Sequence, residues 1–276
     1  MRMSNNRVII EAGRPESHYW LDLWRYRELF YFLSWKEILV RYKQTVIGIA
    51  WAVLRPVLIM LVFTVVFGRI AKLETSDIPY PILVYAAVLP WQFFATSMTE
   101  SSGSLITNAN LISKVYFPRL IIPASAVITS FVDFAIAAVI FLGLMLWYSY
   151  SPDWQIFALP FFVLLAFALA MGFGLWMAAL NVRYRDFRYI VPFVVQLGMY
   201  ISPVGFRSSL VPEEWRVLYS LNPLVGIIDG FRWSLLKGSE PLYLPGVVIS
   251  VAFSVGMMYF GLRYFRRTEK QFADVI

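Results

Sequence analysis

The chain has 276 residues, of which 59% are hydrophobic and 15% are charged. Soluble domains carry about 25% charged residues, so this composition excludes an ordinary soluble domain and predicts a polytopic membrane protein with room for about six spans. The net charge of +7 would suit a nucleic-acid partner, but most basic residues flank apolar runs, and we expect no nucleic-acid partner. The absence of cysteine excludes disulfides and thiolate metal sites.

The N-terminal region divides into a tail and a helix. Residues 1–18 are polar and lack the apolar run of a signal peptide, so we expect a polar tail and no cleaved signal peptide. Over residues 19–43, apolar and aromatic residues recur at intervals of three and four, with basic residues on the other faces. This pattern predicts a cytoplasmic amphipathic helix lying in the headgroup layer, or alternatively one packed on a soluble domain.

Six apolar runs follow, and a helix needs about 20 apolar residues to cross a bilayer. We therefore predict an all-α fold whose single transmembrane domain covers residues 44–276. The predicted spans are approximately 45–68, 81–99, 119–148, 157–180, 188–205 and 244–262. Lys and Arg are concentrated before span one, in alternate loops and in the C-terminal tail, which predicts that both termini are cytoplasmic.

The longest connection, between spans five and six, contains two short helical patterns separated by Asn222-Pro223. Asn-Pro marks a turn or a helix start. We predict two short outer-face helices over residues 212–237 that re-enter the membrane. The alternative is a folded outer loop without a gating role.

Three charged residues lie within or at the end of different predicted spans, namely Arg55, Glu100 and Asp133. Intramembrane charges are functional candidates by default, and these could form an ion pair, a proton relay or a water-lined path. The alternative is that each side chain reaches a nearby interface. Pro56 follows Arg55, and such a pair is tolerated where a helix faces protein or water.

Motifs of covalent and nucleotide chemistry are missing from the sequence: there is no G-x-x-x-x-G-K-[ST], H-E-x-x-H or G-x-S-x-G. We therefore expect no enzyme activity, no metal site and no cofactor in this chain. Gly172-Phe173-Gly174 is interpreted as a point of close helix packing. The loop over residues 105–117 is amphipathic and ends at Phe117-Pro118, which predicts a short helix that either docks a soluble partner or simply connects two spans.

Several motifs resemble one transporter family. They are R-Y-K-Q-T-x-x-G-x-x-W (41–51), V-F-G-R (66–69), Y-P-x-x-x-Y-A (80–86), L-P-W (89–91), N-A-N-L-I-x-K-V-Y-F-P-R (108–119), N-V-R-Y-R-D (181–186), S-P-V (202–204), L-N-P (221–223) and G-F-R-W (230–233). In this order, over roughly residues 20–270, they resemble the membrane (permease) subunits of ABC transporters that export cell-surface polysaccharides. The resemblance is closest to O-antigen exporter permeases; teichoic-acid and capsule exporter permeases are the alternatives.

The resemblance implies a homodimer in the bacterial inner (plasma) membrane, with two copies of a separate ATPase subunit that holds ATP and Mg. It implies a glycan on a polyprenyl diphosphate as substrate, and gate helices at residues 212–237. It also implies a coupling helix that docks on the ATPase and includes Asn108, Ala109, Asn110, Leu111, Lys114, Tyr116 and Phe117.

Two further groups of residues are candidates under this resemblance. Arg41, Lys43 and Arg55 could receive the lipid diphosphate, because cations bind phosphate oxygens. Candidates for the channel and its gate are Tyr85, Trp91, Phe93, Phe94, Asp133, Trp215, Tyr219, Phe231 and Trp233. The alternative for each aromatic residue is a position in the core or against lipid.

Three other functions stay open on the sequence alone. The same architecture could export small amphiphiles or drugs. Glu100 and Asp133 could serve an intramembrane glycosyl- or acyltransferase, and Asp133 alone could carry protons in an ATP-independent secondary carrier.

Overall fold

A computed structural model describes residues 19–43, 48–72, 78–238 and 241–272, and these form helices and connecting turns without a strand. The predicted tail, residues 1–18, lies outside the described residues. In chain order the helices are α1 (Tyr19–Arg25), α2 (Arg27–Lys43), α3 (Gly48–Phe63), α4 (Tyr80–Thr107), α5 (Ala109–Lys114), α6 (Ile121–Trp147), α7 (Leu159–Arg183), α8 (Phe187–Ile201), α9 (Glu213–Tyr219), α10 (Pro223–Leu235) and α11 (Leu244–Thr268).

Within these described ranges, five helical segments are long and apolar enough to cross a membrane. They are Ala50–Ile70, in which a π-helical segment continues α3, and then Tyr80–Thr107, Ile121–Trp147, Trp154–Arg183 and Leu244–Gln271. The helix at the predicted fifth span, α8, has 15 residues. It rises about 22 Å, short of the roughly 30 Å of a bilayer core, so the sixth span stays a prediction.

Helix α4 lies at the centre of the bundle and packs against α3, α6, α7, α8 and α10. Its residues from Ile82 to Leu89 are at most 3% exposed, as expected for a helix that is apolar on all sides. It ends at Thr107, eight residues beyond the predicted end of span two at residue 99. The short helix α5 therefore begins only at Ala109, and it follows α4 after a turn at Asn108.

Helices α7 and α11 approach each other so closely that their backbones touch. A Cβ atom built on Gly172 would lie 2.6 Å from the carbonyl carbon of Met257, and one on Gly261 would lie 2.2 Å from the carbonyl oxygen of Gly172. Gly174 is equally close to Ser101 of α4, at 2.7 Å. The interpretation of Gly172-Phe173-Gly174 as a packing element is confirmed.

Helices α1 and α2 occupy the predicted amphipathic segment and are separated only by Tyr26. One face packs inward, with Leu33 buried and Leu29 and Phe30 partly buried against the core. The opposite face exposes large aromatic side chains, namely Trp20, Trp24, Tyr31, Phe32 and Trp35. This second apolar face suits the headgroup layer, where aromatic rings are enriched.

The two ends of the bundle carry different elements. At one end, which we call the α5 end, Tyr19 Oη donates to Glu269 Oε2 at 3.1 Å, and Arg119 donates to the carbonyl oxygen of Glu269. These contacts bring together the start of α1, the turn after α5 and the end of α11. At the opposite end, the α10 end, Gly230 of α10 lies against Phe162 near the start of α7.

The connection between α8 and α11 forms the two short helices that the sequence predicts. Asn222 caps α10, since its side chain accepts from the backbone N–H of Leu224 at 3.1 Å, and Pro223 takes the first helical position. Helix α9 exposes Trp215, whereas α10 is buried along most of its length. Insertion of the two helices into the membrane stays a prediction.

Arg232 of α10 is 1% exposed and supports the non-helical segment after α8. Its guanidinium donates to the carbonyl oxygens of Val204 at 3.0 Å, Phe206 at 2.7 Å and Leu83 at 3.2 Å. Carbonyls that leave a helix inside an apolar bundle need donors from the protein. Arg232 is thus an internal structural donor and not a surface charge of the loop.

We predict that Gly261→Ala destabilises the protein by about 1–3 kcal/mol, because the added methyl group overpacks the α7–α11 contact. Gly256→Ala on the same helix is the matched control, since a Cβ there meets nothing within 4 Å. Thermal unfolding in detergent measures both variants. Equal melting temperatures for the two would contradict the close-packing account.

Candidate functional site

A cavity of about 410 Å³ lies between α2, α3, α4 and α6. Its wall combines four charged residues with aromatic and amide side chains. The charged ones are Arg41, Arg55, Glu100 and Asp133, and the others include Trp51, Gln92, Phe93, Thr96 and Phe134. The cavity has the size of a small-ligand pocket and pairs cations with carboxylates next to aromatic surface.

Arg41 of α2 is shared by two carboxylates from two different membrane helices. Its Nη2 lies 2.9 Å from Glu100 Oε1 of α4, and its Nη1 donates to Asp133 Oδ2 of α6. The side chains of Arg41 and Asp133 are 26% and 24% exposed, and that of Glu100 is 49% exposed. Arg41 therefore joins α2 to both spans, through a partly buried ion pair with Asp133 and a more exposed one with Glu100.

The structure thus brings Arg55, Glu100 and Asp133 into one cavity, although they lie on three helices. The carboxylates pair with Arg41 rather than with Arg55. Tyr42 Oη also donates to Asp133 Oδ1, which fixes the carboxylate from a second direction. Burial and this contact raise the pKa of Tyr42, so its hydroxyl keeps its proton and remains a donor.

Glu37, one turn before Arg41, reaches two hydroxyls of α6. Its oxygens lie 3.2 Å from Thr129 Oγ1 and 3.4 Å from Ser125 Oγ, yet these hydroxyls also lie 3.0 Å and 2.8 Å from the backbone carbonyls of Ser125 and Ile122. Each hydroxyl has one hydrogen, which either the backbone carbonyl or the Glu37 carboxyl can accept. An ionised Glu37 would accept from both hydroxyls, whereas a protonated Glu37 would donate its one hydrogen to one of them. Burial raises the pKa of Glu37 above its ordinary value, although the two hydroxyls and Arg41 oppose the shift.

Arg55 differs from Arg41 in having its guanidinium available. Its side chain is exposed and lines the cavity. Within the part of the chain that the structure describes, neither a salt bridge nor a hydrogen bond engages it. Lys43, the third predicted phosphate receiver, is exposed and lies outside the cavity wall. Among the described residues of the cavity wall, Arg55 is therefore an uncommitted cation, next to Arg41, which is paired with carboxylates.

The predicted coupling residues divide into exposed and buried positions. Asn110, Lys114 and Tyr116 are exposed, whereas Phe117 is 4% exposed and belongs to the core. Asn108 donates from its side chain to the Ser104 carbonyl oxygen at 2.9 Å and so closes the end of α4. Ala109 and Leu111 are half-buried. Contact of α5 with a partner stays a prediction.

The aromatic channel candidates lie mostly inside the single chain. Tyr85, Trp91, Phe93, Phe94 and Phe231 are at most 7% exposed. Tyr85 stacks on Phe141, and the Phe93 ring lies 5.6 Å from that of Phe134. Among them, Phe93 reaches the cavity. Their role in lining a passage stays a prediction.

The gate candidates of the outer connection have different surroundings. Trp215 is 59% exposed, Tyr219 is half-buried with its ring 6.4 Å from Phe206, and Trp233 makes an edge-to-face contact with Trp154 at 5.8 Å. A gating role for these residues also stays a prediction.

Sequence reasoning missed Glu37 and the contacts of Glu269. Glu37 lies on α2 at a spacing of four from Arg41, which places both on the face toward α6. That spacing is visible in the sequence and could have pointed to Glu37. The contacts of Glu269 with Tyr19 and Arg119 join segments that are distant in the chain, and no local pattern predicts them.

We predict that the stability contributed by protonated Glu37 is lost as pH rises. The folded state holds the Glu37 proton more tightly than the unfolded chain, so unfolding becomes easier as pH passes from the ordinary value of 4.5 through the raised pKa. Glu37→Gln keeps a donor at all pH values. Its melting temperature should therefore exceed that of the wild type by an amount that grows as pH rises above 4.5.

The control for this comparison is Glu28→Gln, which changes an exposed glutamate on the same helix. A Glu37→Gln difference that is constant with pH would contradict the protonated state of Glu37.

Comparisons with known proteins identify the family of this chain. The family model described as "ABC-2 type transporter" matches residues 28–236. Relatives named O-antigen export system permease protein RfbA, from Myxococcus xanthus and Klebsiella pneumoniae, are 27% and 26% identical. They cover 92% and 90% of this chain and 98% and 95% of their own lengths. The polysialic acid transport protein KpsM of Escherichia coli is 23% identical over 85% of this chain and 91% of its own length. This chain belongs to the ABC-2 type transporter family.

Proposed function

We propose that this chain is the transmembrane subunit of an ABC exporter that moves polyprenyl-diphosphate-linked polysaccharide out of the cytoplasm. ATP would be hydrolysed by a separate ATPase subunit. Support comes from the family, from the names of the relatives and from the absence of a phosphate-binding loop in the sequence. A transferase function has no support, because these relatives are transport proteins.

The observation that carries the proposal is Arg55, which has no partner among the described residues and lines the charged cavity beside an exposed apolar helix face. Leu54, Leu58 and Leu61 of α3 are 42%, 47% and 49% exposed, at helical spacing. A polyprenyl chain has an apolar tail and an anionic headgroup. The tail would lie along this face in the lipid, and the diphosphate would accept hydrogen bonds from Arg55 inside the cavity.

The assembly we propose is a homodimer with two ATPase subunits. Large apolar side chains remain exposed on α8, including Tyr189, Phe193 and Leu197, and they would contact a second copy or lipid. The exposed Asn110, Lys114 and Tyr116 near α5 would contact the ATPase. Both termini would then be cytoplasmic in the inner membrane, in agreement with the distribution of Lys and Arg.

A second candidate is export of a small amphiphile. The cavity volume of about 410 Å³ lies within the range of small-molecule pockets. ATP hydrolysis by the complex is measured with a lipid-linked glycan and with a small amphiphilic dye. Only the substrate that the exporter moves should stimulate hydrolysis, so the assay distinguishes the two proposed functions.

We predict that Arg55→Ala lowers glycan export by about tenfold or more, because a hydrogen bond to a charged group contributes roughly 1.5–3 kcal/mol. Export is measured in proteoliposomes that contain the chain and its ATPase. Arg69→Ala is the matched control, since Arg69 is an exposed arginine at the other end of the same span.

Arg41→Ala tests the second predicted cation in the same assay. Wild-type rates in both the Arg55 and the Arg41 variants would contradict a role of the cavity in binding the headgroup.

A further inference from the structure

The attachment of α2 to the membrane helices depends on a charge cluster that also forms part of the cavity wall. Glu37, Arg41 and Tyr42 lie on one face of α2, and each contacts α6 through a polar atom. Arg41 reaches α4 as well, through Glu100. The same guanidinium thus holds α2 in place and faces the space that a ligand would enter.

The charges in this cluster do not balance. Arg41 contributes one positive charge, and Glu100 and Asp133 contribute two negative charges when ionised. An anionic ligand that binds Arg55 nearby adds further negative charge and repels both carboxylates. Phosphate oxygens also accept two parallel hydrogen bonds from a guanidinium, so they compete directly with the carboxylates for Arg41.

We propose that Arg41, Glu100 and Asp133 form a latch that a diphosphate headgroup opens. With the cavity empty, Arg41 holds α2 against α4 and α6. When the headgroup enters, Arg41 turns from the carboxylates to the phosphate oxygens, and α2 loosens from the spans. This proposal rests on the proposed function, because it takes the diphosphate as the ligand of the cavity.

A movement of α2 would reach the α5 end through contacts that the structure contains. Helix α1 continues directly into α2, and its Tyr19 donates to Glu269 while the Arg266 guanidinium lies 4.4 Å from the Tyr19 ring centroid. The carbonyl oxygen of Glu269 accepts from Arg119, five residues beyond α5. Cavity occupancy would therefore be communicated to the surface where the ATPase is proposed to dock.

The test uses the fact that the chain has no cysteine. Ser34 of α2 is 7% exposed and faces the bundle, so Ser34→Cys creates a single thiol that is protected while α2 is docked. Labelling by a water-soluble maleimide is measured on the complex with its ATPase in lipid nanodiscs. The probes are a polyprenyl diphosphate and the corresponding polyprenol, and binding of each is measured separately by equilibrium titration.

We expect the diphosphate to accelerate labelling of Ser34→Cys roughly tenfold and the polyprenol to leave it unchanged. Adding Asp133→Asn and Glu100→Gln together should give fast labelling without any ligand, because both partners of Arg41 then lose their charge. Lys36→Cys, at an exposed position of the same helix, should label at one rate throughout.

Failure of the latch and failure of the proposed substrate give different results. If the diphosphate binds but Ser34→Cys stays protected, the latch is overturned and the proposed substrate stands. If the double carboxylate variant labels as slowly as the single-cysteine parent, the latch is likewise overturned. If the diphosphate does not bind to the wild-type complex at all, the proposed ligand fails and the latch fails with it.

Discussion

The pairing of Arg41 with two carboxylates is the interaction on which the cavity depends. A charged side chain next to an apolar helix bundle is stable only when protein or water compensates it. Glu100 and Asp133 provide that compensation from two different helices, and they thereby bring α2, α4 and α6 together around a polar space. Arg55 enters the same space from α3 without a partner among the described residues, which makes it the position open to a ligand.

The need to compensate polar groups inside an apolar bundle also explains the structure around α10. The segment after α8 leaves the helical conformation at Ser202, and its carbonyl groups need donors. Arg232 donates two hydrogen bonds to this segment, at Val204 and Phe206, and a third to Leu83 of α4; Tyr80 donates to the carbonyl oxygen of Gly205. The short α8 is therefore connected to α10 by a well-supported irregular segment. The half-buried Arg41 and the buried Arg232 thus each stabilise a departure from simple helix packing.

Local patterns in the sequence were sufficient for the elements themselves. Apolar runs located the long helices, Asn222-Pro223 marked the start of α10, and the glycine pair in α7 marked a close contact. Contacts between residues that are far apart in the sequence could not be predicted from local patterns. Asp133 and Arg41 are 92 residues apart, and nothing local distinguishes an arginine that binds carboxylates from one that is free.

The continuation of α4 to Thr107 was also missed, because the serines and threonines after Met98 have the composition of a loop. Inside the helix several of their hydroxyls are satisfied by donating to carbonyls three or four residues earlier, as Thr99 does to Ala95 and Ser104 to Ser101.

The account depends on a lipid-linked headgroup entering the cavity between α2, α3, α4 and α6. Photo-cross-linking tests this most directly, with a photoreactive amino acid placed at Trp51 or Thr96 of the cavity wall, or at Val139 on the exposed face of α6, and a radiolabelled polyprenyl-diphosphate glycan as ligand. The account predicts adducts that carry the glycan at the two cavity positions and none above background at Val139. Adducts of equal yield at all three positions would contradict it.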